Sequence, residues 1–343
     1  MQESIHEMFD YQVIHEAPVY TLAECLAAEY RSAEHGEEEE EESRKHLIEQ
    51  FRICMNLFDE KDLDFLLMAE EMLKNRGAWQ QNVAYQPFLT FWRLNLAYLF
   101  ESGGEHHLVV PEELIAIYRE VSAGERFAET LAENRERMAY ADALTEIYGQ
   151  YTIAQFVTVW NHHHREKITE KEGDSFLEDY EGFRAQYYLD EDYVVHDALD
   201  EEDFEDLWEA TKDLPYYMPT KSEIRAYAAK VRSHEPTPAY NEVDALLREY
   251  LPDAGNIDDT VAGIVIACEA LDSPAEIQSF LEDDDILMTD PKFRERFERL
   301  VNRIQSAAHI WKLRGHTPYQ YQRETGEAIP AFRLPPIKKK HKG

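Results

Sequence analysis

The chain has 343 residues, with 70 Asp and Glu against 35 Lys and Arg and a formal net charge of −35. Such a charge favours basic partners and disfavours bare phosphate backbones and anionic lipid. A hydrophobic share of 44% is ample for a folded core, while only 13 Gly and 14 Pro disfavour Gly-rich nucleotide folds and β-sandwiches and favour helices joined by short turns.

Residues 1–43 read as an acidic N-terminal segment. The opening MQESIHEMFD has no basic n-region and no apolar h-region, and no apolar run approaches the ~18 residues of a membrane span. Leu22 to Tyr30 suits one short helix, and Glu37–Glu42 is a run of six glutamates that suits a solvated helix start or linker. Cys25, Cys54 and Cys268 lie far apart among apolar residues and form no CxxC pair. The expectation is buried thiols in a reducing cytoplasm.

Residues 44–124 read as a first helical unit. Leu47, Phe51, Cys54 and Phe58 form one apolar stripe, and Leu63, Leu66, Leu67 and Leu73 form another. A third helix is expected over Phe88 to Leu99, with Trp92 and Leu96 inward. Gly103-Gly104 then marks a turn and His107 to Val110 a short strand. Pro111 with Glu112 and Glu113 suits the first turn of a helix carrying Leu114, Ile117, Tyr118 and Val121. Helices followed by a short hairpin resemble the plan of a winged helix.

Residues 125–235 read as a second helical unit. A long helix over 125–148 places Met138, Ala141, Leu144 and Tyr148 on one face, and Gly149 breaks it. Thr152-x-x-Gln155 is a capping box, followed by Ile153, Phe156, Val157 and Trp160 on a shared face. Residues 141–164 therefore read as helix, tight turn, helix. Phe176 to Phe183 suits a helix, and Tyr187, Leu189, Tyr193 and Val195 alternate as a strand or hairpin does. Asp190 to Asp213 holds twelve acidic residues and one lysine, with Phe204, Leu207 and Trp208 as its apolar side. Thr220-x-x-Glu223 is a second capping box, opening a helix with Ile224, Tyr227 and Val231. Two places about a hundred residues apart, around Pro111 and Pro219, share an apolar pair, a proline, an acidic helix start and an aliphatic anchor. They suggest a duplicated helical unit.

Residues 236–313 read as a C-terminal helical block. Tyr240, Val243, Leu247 and Tyr250 share one face, as do Ile257, Val261, Ile264, Val265 and Cys268. Ser273-Pro274-x-Glu276 is a third capping box, leading to Ile277, Phe280 and Leu281. Asp290-Pro291 opens a last long helix with Phe293, Phe297, Leu300, Val301 and Ile304. Residues 314–343 form a Pro-containing tail without helical periodicity. From Arg333 on it carries Lys338, Lys339, Lys340 and Lys342 and no acidic residue. The fold class is mainly α: multi-helical, with duplicated helical units and short wing-like hairpins.

His309-Ile-Trp311-Lys-Leu-Arg-Gly315-His316-Thr317-Pro318 resembles the Trp–x–x–x–Gly–His–Thr–Pro segment of a poorly characterised group of helical bacterial proteins. The Tyr148-Gly149 turn and the Tyr217-Met218-Pro219 segment are similar to that group's helical body, so the resemblance spans roughly residues 44–320. In that group the segment commonly precedes a SEC-C tail, the small zinc module also found at the end of the SecA translocase. Here no cysteine follows Cys268, so the zinc function is not implied. What the resemblance implies is a helical adaptor-like body with a link to secretion or ribosome-associated proteins.

Candidate chemistry is sparse. His162-His163-His164 fall about 100° apart on a helix and so cannot converge on one metal; their position at a helix end suits the dipole instead. His106-His107 lie beside a turn, and His316 suits a turn hydrogen bond. Asp283–Asp285 and Asp190-x-Asp192 lack the Gly and Glu of a calcium loop. No GxSxG, Walker A, GxGxxG, HExxH or kinase pattern occurs. The leading expectation is a cytoplasmic, non-catalytic interaction protein with no cofactor. Its acidic face, Asp190, Glu191, Asp192, Asp200, Glu201, Glu202, Asp203, Glu205 and Asp206, would bind a basic protein partner. Three alternatives follow. RNA or ribosome association would use Arg333, Lys338, Lys339, Lys340 and Lys342 with the helix-turn-helix. A DNA mimic would occupy a DNA-binding protein. A metal-dependent enzyme would use His162, His163 or His164.

Overall fold

The structure, a computed structural model, describes residues 13–30, 37–76, 85–233, 236–251, 257–283, 286 and 288–335. The chain divides into two units, Met1–Met138 with Phe176–Ala185, and Ala139–Ser175 with Gln186–Gly343. Among the described residues, both are built mainly from helices, each with one small antiparallel sheet. No helix among the described residues is long and apolar enough to cross a membrane.

The first unit holds α1 (Leu22–Tyr30), α2 (Glu37–Met55), α3 (Glu60–Asn75), α4 (Tyr85–Arg93), β1 (Tyr98–Ser102), β2 (Glu105–Val109) and α5 (Glu112–Ser122). It also takes the first part of α6 (Phe127–Tyr148) and the last part of α8 (Glu170–Phe183). Its core is aromatic. Phe58 lies within 6.0 Å of the rings of Phe51, Phe91 and Phe183, and Phe65 packs 4.9 Å from Phe91. Offset and edge contacts of this kind add to the gain from burial. Asp59 caps α3 in a two-way capping box with Asp62, and the fully buried Asp62 carboxylate is held by Arg184 at 2.7 and 3.2 Å. The expected helix over 88–99 is shorter than its periodicity suggested. It ends at Arg93, Asn95 turns left-handed at φ 54°, and Leu96 to Phe100 run buried into β1. β1 and β2 pair from Tyr98↔Val109 to Ser102↔Glu105 across the Gly103-Gly104 turn.

The second unit holds the end of α6, then β3 (Gln150–Thr152), α7 (Ile153–His163), the start of α8, β4 (Tyr187–Asp190), β5 (Tyr193–His196), α9 (Glu201–Thr211) and α10 (Lys221–Ser233). It continues with α11 (Pro238–Tyr250), α12 (Asp258–Ala270), α13 (Pro274–Asp283), α14 (Pro291–Ala307), a 3₁₀ turn at Trp311–Leu313 and α15 (Pro318–Thr325). The helix-turn-helix reading of 141–164 is corrected here. The residues between α6 and α7 are a strand that pairs with β5, Tyr151 opposite Val194, in a sheet ordered β3-β5-β4. Nor does a strand precede Pro219 as β2 precedes Pro111; residues 215–220 are irregular. The capping boxes at Thr220–Glu223 and Ser273–Glu276 form in both directions. Thr152 caps the Gln155 amide, but the Gln155 side chain donates to the Tyr148 hydroxyl instead. α11, α12, α13 and α14 enclose a core of Val243, Leu247, Val261, Ile264, Phe297 and Val301.

Three segments whose contacts span 69 to 165 residues in sequence meet in this unit. Gly149, at φ +69°, lies directly beneath the Trp311 indole, whose Nε1 donates to the Glu146 carbonyl at 2.9 Å. Gly315, at φ +79°, lies beneath the Tyr148 ring, and a β-carbon there would stand 2.6 Å from Tyr148 Cδ1. The Tyr148 hydroxyl donates to the Tyr217 carbonyl at 2.5 Å, and the Tyr217 amide donates to the Arg314 carbonyl at 3.0 Å. His309 stacks on Tyr217 and bonds the Gly315 carbonyl through Nδ1 at 2.5 Å. His316 Nδ1 contacts the Leu313 carbonyl at 2.8 Å, the turn hydrogen bond expected of it.

Gly315→Ala should therefore combine left-handed strain with a ring clash, lowering stability by about 2–4 kcal/mol. Gly326→Ala is the control. It has φ +80° and open space around it, so it should lose only about 1–2 kcal/mol. Denaturant unfolding of both variants measures the difference; equal losses would show that Tyr148 yields freely.

Candidate functional site

The sequence-predicted acids sit on the β4–β5 turn and on α9. Asp190 ends β4, and Glu191 and Asp192 form the two-residue turn, with Glu191 at φ 49°. Asp200 is the N-cap of α9 and accepts from the Asp203 amide at 2.9 Å. Glu201, Glu202 and Asp203 fill the first turn, where the positive end of the helix dipole offsets part of their repulsion. Leu207 and Thr211 face the interior, while Glu201, Glu202, Glu205 and Asp206 point to solvent.

Folding brings Asp190, Asp200, Asp203 and Glu201 around one group, the Tyr188 hydroxyl. Burial raises the Tyr188 pKa, and these four carboxylates raise it further. Glu191 and Asp192 lie on the same turn, and Glu202, Glu205 and Asp206 on the same helix. All nine predicted acids are exposed, and none has an ion-pair partner among the described residues. Elsewhere the chain neutralises many of its own acids. Glu70 is held by Arg119 and Lys74, Glu112 by Arg76, Glu249 by Arg296 and Glu298 by Arg333. Within the acidic stretch the lone lysine, Lys212, pairs with Glu209 at 2.6 Å and lies 5.1 Å from the Trp208 ring centroid. Trp208 is 37% exposed, and its Nε1 donates to the Tyr193 hydroxyl.

A second constellation, with His196 buried and its other three members half-buried, escaped sequence reasoning. Glu146 at the end of α6, His196 on β5, Lys230 on α10 and Glu269 on α12 come together in the second unit. Lys230 Nζ bonds Glu146 at 2.8 Å and Glu269 at 3.3 Å; His196 Nε2 lies 3.8 Å from Glu146, and its ring packs 5.0 Å from Trp311. Burial alone would lower the His196 pKa, but the Asp197 and Glu146 carboxylates bring it up to about 9. Burial alone would raise Glu146, but His196 and Lys230 bring it down to about 2. Burial holds Glu269 above the usual carboxylate range, with Lys230 opposing. The arrangement ties four elements together by charge. Its members stand alone in unrelated stretches, so no local spacing marked them.

The histidine run is splayed. His162 is exposed, His163 Nδ1 meets the Tyr140 hydroxyl at 2.9 Å, and His164 stacks on Trp160 at 3.8 Å. Lys167 caps the carbonyls of Asn161 and His164 at the helix end. The described residues contain no group of three or more His, Cys, Asp or Glu able to hold a metal ion. All three cysteines are buried, and burial raises each thiol, Cys54 to about 12. Arg333 lies far along the chain from the acidic face, exposed and paired with Glu298 at 2.9 Å. Lys338, Lys339, Lys340 and Lys342 lie outside the described residues, as does most of Asp283–Asp285.

This charge cluster sets a pH dependence. A raised His196 contributes fully below its unfolded value of about 6.5 and loses that contribution as pH rises through about 9. A lowered Glu146 contributes above its ordinary range and loses that contribution as pH falls toward 2. Urea midpoints of the native chain should fall between pH 6.5 and 9, and His196→Asn should flatten that slope. Parallel curves for the two proteins would remove His196 from the account.

No family model matches the chain, and neither a curated protein nor a solved structure matches it.

Proposed function

We propose that this chain is a non-catalytic interaction protein that receives a basic protein partner on the face formed by the β4–β5 turn and α9. One observation carries the reading: nine exposed carboxylates of the β4–β5 turn and α9 have no counter-ion among the described residues, although many acids elsewhere do. Unrelieved like charge costs stability, and a cationic partner relieves it. Trp208 beside these acids offers a ring face to an incoming lysine or arginine, the position Lys212 takes in cis. Exposed ion pairs are each worth only about 0.2–1 kcal/mol, so affinity depends on several at once and falls with salt.

The test compares two variants of equal net charge. One carries Glu201→Gln, Glu202→Gln, Glu205→Gln and Asp206→Asn. The other carries Glu41→Gln, Glu42→Gln, Glu60→Gln and Glu71→Gln, all exposed and all in the first unit. Binding of a Lys/Arg-rich peptide at low ionic strength should drop about tenfold for the first variant and little for the second. Equal losses would reduce the effect to net charge, and binding indifferent to salt would reject the acidic face.

A further inference from the structure

After α15 the chain runs through residues 326–331 without regular structure, then lies along α14 as an extended strap. Phe332 and Leu334 are buried in the core beneath α14, with the Phe332 ring 6.3 Å from Phe297. Between them Arg333 points outward to Glu298. This is the side-chain alternation of an extended peptide seated on a surface.

The backbone of the strap is held by a polar stripe on α14. Arg294, Glu298 and Asn302 stand four residues apart and so share one face of the helix. The Asn302 amide makes both bonds to Phe332, accepting from its N–H at 2.9 Å and donating to its carbonyl at 3.0 Å. Glu298 accepts the Leu334 amide at 3.0 Å and the Arg333 guanidinium at 2.9 Å. Arg294 donates to the Pro335 carbonyl. Three side chains thus address consecutive backbone groups while the core takes alternate side chains, Phe332 and Leu334. Main-chain bonds with alternate side-chain pockets are how proteins bind extended peptides in general.

We propose that this stripe of α14 is a peptide-recognition site for an extended basic segment of a partner protein, of the type aromatic–Arg–Leu–Pro, and that residues 332–335 occupy it in cis. The occupant is a partner's segment rather than a second copy's strap. A chain of net charge −35 repels its own copies and attracts basic segments, and Glu298 already accepts an arginine at the middle position. The irregular stretch 326–331 lets the strap leave without unwinding α15. The cis strap competes through its high local concentration, so the site opens only to a segment that matches it. This proposal stands apart from the α9 face.

A fluorescent peptide with the sequence of residues 328–335 should bind the full-length Phe332→Ala/Leu334→Ala variant at least about tenfold more tightly than the native chain. Adding Asn302→Ala to that variant should cost about tenfold. The glutamine variant of α9 should leave binding unchanged, which separates this site from the acidic face. A second measurement needs no substitution. Excess unlabelled peptide added to the native chain should speed hydrogen exchange at the Phe332 and Leu334 amides, and a scrambled peptide should not. Unchanged exchange, or equal effects of both peptides, overturns the proposal. So does a concentration-dependent dimer in light scattering that the peptide dissolves, because the site would then belong to a second copy.

Discussion

The second unit depends on two aromatic rings seated on two left-handed glycines. Trp311 covers Gly149, and Tyr148 covers Gly315. Each contact removes the β-carbon that any other residue would bring, so the approach of the chain at 148–149 fixes the chain at 311–315 and the reverse. Hydrogen bonds then close the arrangement: Trp311 to the Glu146 carbonyl, Tyr148 to the Tyr217 carbonyl, Tyr217 to the Arg314 carbonyl. Buried backbone groups that would otherwise lack partners are satisfied by side chains from distant segments. β3 follows directly from Gly149, and β3 in turn sets the register of β5, which carries His196 into contact with Trp311. The charges of Glu146, His196, Lys230 and Glu269 therefore sit in a frame whose geometry is set by packing.

Charge is distributed unevenly over this frame. Arginines of α5, α14 and the strap are paired with carboxylates across element boundaries. Among the described residues, the β4–β5 turn and α9 receive almost none of that compensation. Helix dipole and N-capping make the accumulation tolerable at the start of α9, because four acids there face the amide end of the helix. The same sequence feature, a dense run of Asp and Glu, thus serves as a helix start and as an uncompensated surface.

Much of the helical architecture was legible from apolar spacing and capping signals. The boxes at Thr220 and Ser273 appear as Ser/Thr–x–x–Glu and form as such. What escaped reading has a physical cause in each case. β3 is three residues long, too short to show alternation, so 141–164 looked like two helices on a turn. α4 stops before its apolar pattern does because Asn95 turns left-handed and Leu96 to Phe100 run buried into a strand. α15 buries no residue, so it has no stripe to find; its Thr317-Pro318-x-Gln320 box was the available signal. Of the candidate site, the acidic density was plain in the sequence. The convergence of Asp190 with Asp200, Glu201 and Asp203 on Tyr188 arises from a hairpin and a helix meeting, which composition does not encode. The Glu146–His196–Lys230–Glu269 group likewise exists only after folding.

The burial of every cysteine gives the molecule a built-in reporter. Cys25 and Cys54 belong to the first unit and Cys268 to the second, and their thiols are shielded and poorly ionised. An alkylating reagent therefore reaches each sulfur only when its own surroundings open. The order in which the three positions become modified, located by mass, tells which half of the chain loosens first, with no change to the sequence.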